Sequence, residues 1–175
     1  SASRPRHGKQ RGQIMPSGKH RWSRTASSNS TADSSINWAE SQAPSTVNDS
    51  ARAQMARSAE ERDDHSGVTA TTGAADAYVF ASYQTLTALV DGFKISFTCH
   101  ATNTGASTIN VDSMGAKPLR AIPSTAISAG VLQTGAQYDA TYDSGGDEWL
   151  LHNYYNASFQ PLDASLTAYA ALTTG

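Results

Sequence analysis

At 175 residues the chain allows one ordinary domain, or a small domain carrying long tails. Hydrophobic residues make up 38 % and charged residues 16 %, and the deficit lies in residues 1–46, where the only apolar side chains larger than Ala are Ile14, Met15, Trp22, Ile36 and Trp38. That lead is too polar to form a core of its own, no apolar run is long enough to cross a bilayer, and the single cysteine, Cys99, excludes an intrachain disulfide or a cysteine-based zinc site. The net charge of -2 conceals a segregation: Arg4, Arg6, Lys9, Arg11, Lys19, Arg21 and Arg24 face no acid before residue 25.

Residues 1–34 show no apolar period and are expected to lack secondary structure. The basic leader has the charge to touch nucleic acid, a membrane surface or an acidic protein, but it carries no aromatic residue before Trp22, so a solvated tail is the favoured reading. Met15 opens like a natural N-terminus, which makes residues 1–14 an upstream or tag-like extension; without them the net charge falls to -6 and the nucleic-acid signal largely goes. Residues 15–44 then form an extended arm. Pro44 followed by Ser45 supplies a stop and an N-cap, and a helix is expected over residues 45–66, ending at Gly67. Val47, Ala51, Met55 and Ala59 form a narrow stripe along it. Two small residues, one Val and one Met bury too little to stabilise a lone helix, so a partner must cover them.

Residues 73–153 read as an antiparallel β-sandwich or small barrel, with short strands and Gly-rich turns. Ala77–Ser82 is one strand and Leu86–Leu89 a stub. Phe93, Ile95, Phe97 and Cys99 alternate with Lys94, Ser96, Thr98 and His100 in the clearest strand signal. Thr108–Val111 returns after the Asn103-Thr104-Gly105 turn, and Gln137–Tyr142 pairs with Glu148–Asn153 around Asp143-Ser144-Gly145-Gly146-Asp147. Cys99 and Trp149 fall on core positions. A domain this small is marginal, and oligomerisation is the available staple. Residues 154–175 restart a different pattern, with Leu162, Leu166 and Leu172 among Ala and Thr, and read as a linker to a longer region.

Chemistry-bearing motifs are missing. The histidines (His7, His20, His65, His100, His152) fall at no metal-ligand spacing, and Asp63-Asp64-His65 are too close in sequence to converge on one ion. Asp143, Asp147 and Glu148 suit a turn better than a carboxylate pair. No catalytic residue, cofactor or metal is therefore expected. Trp22 and Trp38 stand where nothing local buries them, either as interface anchors or as incidental residues of a tail.

Met15-Pro16-Ser17-Gly18-Lys19 through Trp22-Ser23, Asn37-Trp38-Ala39-Glu40, Gln42-Ala43-Pro44-Ser45 and Val47-Asn48-Asp49-Ser50-Ala51-Arg52 to Met55-Ala56-Arg57 resemble the N-terminus of tail fibre proteins of tailed bacteriophages and prophages. The β region is similar to a domain of those fibres at Asp91-Gly92, Asn103-Thr104-Gly105, Gly115-Ala116-Lys117-Pro118, Tyr142-Asp143 and Trp149-Leu150, and Leu162-Asp163-Ala164 to Leu172-Thr173-Thr174 looks like the linker to the distal fibre. The resemblance implies a structural, non-enzymatic virion protein, made in the bacterial cytoplasm, homotrimeric and adhesive. Its N-terminal arm and helix would dock on the tail or on tail-hub or adaptor proteins. A distal region would bind the host receptor, with no nucleic acid bound and no membrane insertion. Trp22, Ile36, Trp38, Pro44, Val47, Asn48, Ala51, Arg52, Met55 and Ala59 would form the docking and trimer interface. The alternatives are the adaptor of a tailspike with a glycan-degrading domain after residue 175, or a neck or head whisker or decoration protein.

Overall fold

The computed structural model describes residues 18–30 and 32–154. The expected extension at 1–14, the beginning of the arm at Met15 and nearly all of the linker at 154–175 lie outside the described residues. The chain divides between Ala59 and Glu60 into two compact units.

In the first unit the arm is not simply extended. It makes two 3₁₀ turns, Lys19–Arg21 and Ala26–Asn29, before the helix α1, Pro44–Asp64. The helix begins one residue earlier than the sequence predicts. Pro44 occupies its first position, where the missing N–H costs nothing, and the Thr46 N–H and hydroxyl both donate to the Ala43 carbonyl at 2.9 and 2.7 Å. Ser45 is thus inside the helix rather than its cap, and Asp49 lies beyond the first turn, which holds no acid. Along α1 the positions shielded within this unit are Thr46, Ser50, Ala53, Arg57 and Ala59. At 100° per residue the first four cluster opposite the Val47–Ala51–Met55–Ala59 stripe, of which Val47, Ala51 and Met55 remain exposed.

The second unit is a single curled sheet: β1 Thr72–Ala74, β2 Ala77–Phe80, β3 Lys94–Thr98, β4 Ser107–Val111, β5 Ala116–Ile122, β6 Thr125–Ala126, β7 Gln137–Asp143 and β8 Glu148–Leu151. With one helix, the protein is mostly β. The strand order is β1-β2-β4-β5-β8-β7-β3, with β6 on β5. The sheet is mixed rather than wholly antiparallel, because β2 runs parallel to β4 and β5 parallel to β8. Residues just before β1 reach the opposite edge: Thr98 donates to Thr69 O and accepts from Thr71 N, each at 2.9 Å, so the two ends of the sheet approach as in a half-barrel. The predicted stub at Leu86–Leu89 is loop.

Alternation places Ile95, Phe97 and Cys99 inside with Tyr78, Phe80, Tyr138 and Trp149, all at most 1 % exposed. Cys99 donates through Sγ to Ala101 O at 3.0 Å, and burial pushes its thiol pKa up, which makes it a core residue. His100, expected on the open face, is half-buried, with its ring nitrogens 2.9 Å from Thr71 Oγ1 and 3.2 Å from Gly73 O. Lys94 is exposed and pairs with Asp139 at 3.2 Å.

Candidate docking surface

The first unit is held together by polar contacts. Asp33, 2 % exposed, accepts from Gly18 N at 2.8 Å, from Ser35 N and Oγ at 2.9 and 2.6 Å, and faces Arg57 Nε at 3.3 Å. Burial on its own raises the Asp33 pKa, but the Ser35 and Gly18 hydrogen bonds and the Arg57 charge outweigh it, and the net shift is downward. Ser50 clips the arm to the helix: its hydroxyl accepts from Asn37 N at 3.0 Å and donates to Asn37 O at 3.1 Å. Between these ties Ile36 is driven inside, 5 % exposed.

Fixing Asp33, Ile36 and Asn37 fixes Trp38 beside them, 42 % exposed. Asn29 exchanges hydrogen bonds with the Ser23 backbone at 2.7 and 2.8 Å, which folds the turn carrying Trp22 toward it. The Lys19 ammonium lies 6.0 Å from the Trp22 ring centroid, a cation–π distance. The outcome is a cleft of about 220 Å³ lined by Trp22, Ala26, Asn29, Asp33, Ile36, Trp38 and Gln54. A shallower one of about 580 Å³ continues past Trp38 along Ala26, Ser27, Asn29, Ser30, Ala39 and Glu40.

The expected interface residues therefore separate into two groups. Trp22, Ile36 and Trp38 converge on the cleft. Val47, Ala51 and Met55 form the uncovered helix face, where Met55 is 73 % exposed. Pro44, Asn48 and Arg52 are exposed on α1, with Arg52 3.5 Å from Asp49, and Ala59 is half-buried. Sequence reasoning missed Asp33, Asn29, Gln54 and Ser50. Asp33 carried a legible signal, being the only acid in the first 39 residues.

The acids of the second unit act in the framework. Asp147 accepts from Lys117 Nζ and Tyr142 Oη, each at 2.7 Å. Glu148, 3 % exposed, accepts from Arg120 Nε at 3.3 Å and Ser124 N at 2.9 Å. Asp64 holds Tyr83 N, Gln84 N and Gln84 Nε2 at 2.7, 3.3 and 3.1 Å. Among the described residues no three His, Cys, Asp or Glu side chains are placed to share a metal ion, and no helix is long and apolar enough to cross a membrane. Comparison with protein families and with curated proteins finds no match to this chain.

Proposed function

We propose that the protein is the tail-proximal part of a homotrimeric bacteriophage tail fibre, a structural virion component whose N-terminal unit attaches the host-binding fibre to the tail. The observation that supports this most is the pairing within one unit of an aromatic cleft and an uncovered apolar helix face. Large aromatics at the mouth of a cleft are the usual energetic centre of a protein interface, and here Trp38 stands at that mouth with Trp22 and Ile36 behind it. The helix face offers Val47, Ala51 and Met55 to sister copies. The N-terminal resemblance falls on these same residues. Several weak distal contacts on one particle then combine into firm adhesion.

The test is assembly. Particles propagated with Trp38→Ala and Met55→Glu together should carry at least about tenfold less of this protein by quantitative immunoblot, because loss of one aromatic anchor alone costs about 2 kcal/mol or more. Wild-type incorporation of that variant would remove the arm and helix from any anchoring role.

A further inference from the structure

The cleft and the N-terminal segment of the chain meet at one point. The Gly18 N–H donates to the carboxylate of Asp33, a lining residue, at 2.8 Å, so residues 1–17 are tethered at the wall of the cleft. Met15 is three residues ahead of Gly18, which keeps its Cα within about 11 Å of the Gly18 Cα. Ile14 and Met15 are the only large apolar side chains of residues 1–17, and Pro16 follows them. We propose that the cleft is covered by this chain's own Ile14, Met15 and Pro16, with Met15 against the Trp22 and Trp38 indoles and with Lys9 and Arg11 directed to Glu40. The inference stands on the first unit alone and not on the attachment role; a tail protein that uses the cleft has this segment to displace.

Size, side-chain chemistry and charge select this occupant. A cavity of about 150 Å³ takes a benzene-sized group, so the cleft of about 220 Å³ suits one or two aliphatic side chains. Methionine fills uneven gaps and its sulfur is favoured beside aromatic rings, and Trp38, 42 % exposed, has ring surface to receive it. Among the described residues, the charged side chains lining the cleft and its continuation are the acids Asp33 and Glu40. Asp33 is buried against Arg57, which leaves the exposed Glu40 to face an occupant. Residues 1–17 carry Arg4, Arg6, Lys9 and Arg11 and no acid, whereas residues 155–175, with Phe159, Leu162 and Leu166, carry Asp163 and no base. The short tether also gives the segment an effective concentration of about millimolar, an advantage that a separate peptide of the same composition lacks.

Magnetic resonance on the full chain with isotope-labelled methionine methyl groups decides the matter. Met15, Met55 and Met114 give three signals, and Met15→Leu identifies the first. The Met15 methyl should cross-relax with the indole protons of Trp22 and Trp38. Trp38→Ala should remove its ring-current shift while helix content by circular dichroism holds, since Trp38 is partly exposed. Met15→Glu should lower the ratio of covered to open cleft at least about tenfold, read as stronger acrylamide quenching of Trp22 and Trp38 against the buried Trp149. Glu40→Lys should lower the same ratio by up to about fivefold, and more at low salt than at high. A Met15 methyl at the position of free methionine, no indole contact, quenching that Met15→Glu leaves unchanged, or a cover that Glu40→Lys tightens each overturns the proposal. Contact found only between a labelled and an unlabelled chain also overturns it, because the cover then belongs to a sister copy.

Discussion

Two buried carboxylates, Asp33 and Asp64, shift in opposite directions. For Asp64 burial raises the pKa, which the hydrogen bonds from Tyr83 and Gln84 only partly offset and to which the Asp112 charge adds. For Asp33 burial is outweighed and the value falls. Stability from Asp33 is therefore present above the unfolded-state pKa of about 3.9 and lost as pH drops through the lower folded value. The contribution of Asp64 is present below about 3.9 and is lost as pH rises through its raised folded value. Trp22 and Trp38 report on the first unit and Trp149 on the second, so urea midpoints from their emission separate the two effects. Asp33→Asn should cost about 1–3 kcal/mol at neutral pH, a deficit that is smaller in acid, where the carboxylate takes up its proton. Asp64→Asn should flatten the decline of the second unit between acid and neutral pH. An Asp33→Asn deficit that is the same at both pH values would refute this assignment. Sequence alone showed Asp33 as an isolated acid and Asp64 as one of four at a helix end, and neither pattern reveals burial. Asn103 is similar: it read as a turn residue, yet its side chain donates to Gly105 O and Ser128 O and accepts from Leu132 N, each at 2.8 Å.

At the scale of elements, α1 was legible in place but not in facing. The apolar stripe marked Val47, Ala51, Met55 and Ala59 as the contact side, of which only Ala59 is shielded, whereas the side turned into the unit is Thr46, Ser50, Ala53 and Arg57, whose contacts are largely hydrogen bonds and an ion pair. Periodicity of apolar residues is blind to such a face. The strands fared better, since burial alternates along β4 and β7, although on β3 and β8 the opposite-face Ser96 and Glu148 are buried as well; alternation also carries no direction, and the parallel β2·β4 and β5·β8 pairings could not be read from it. The polar face of α1 makes a definite expectation. Ser50→Ala leaves the Asn37 N–H and carbonyl without their helix partner and should cost the first unit about 1 kcal/mol. Amide exchange at Asn37 and Trp38 should quicken while helix content by circular dichroism stays constant. Ala51→Ser, on the exposed face, should change neither quantity, and equal effects from both substitutions would mean the clip is immaterial.

For the whole molecule the outstanding quantity is the number of chains. The helix face leaves Val47 41 % and Met55 73 % exposed, and the second unit, though it buries its own core, also exposes Val68, Tyr83, Val90 and Ile122. Burying a Met or Val fully gains about 1.5–3 kcal/mol, and a trimer gathers that gain from each chain against the entropy of association, about 4–15 kcal/mol per joining event. Val47 and Met55 are already partly shielded, so the gain gathered from three chains falls short of the cost of two joining events, and a trimer needs further contacts beside the stripe. Light scattering on the full chain at about 10 μM should give three times the chain mass, and Met55→Glu should reduce it to one, because three carboxylates brought together on an apolar seam repel one another and lose hydration. A wild-type monomer at about 100 μM would be incompatible with a trimer built on α1, since a tenfold rise in concentration supplies only about 1.4 kcal/mol per association step. A trimer that survives Met55→Glu would move the assembly contact off this face.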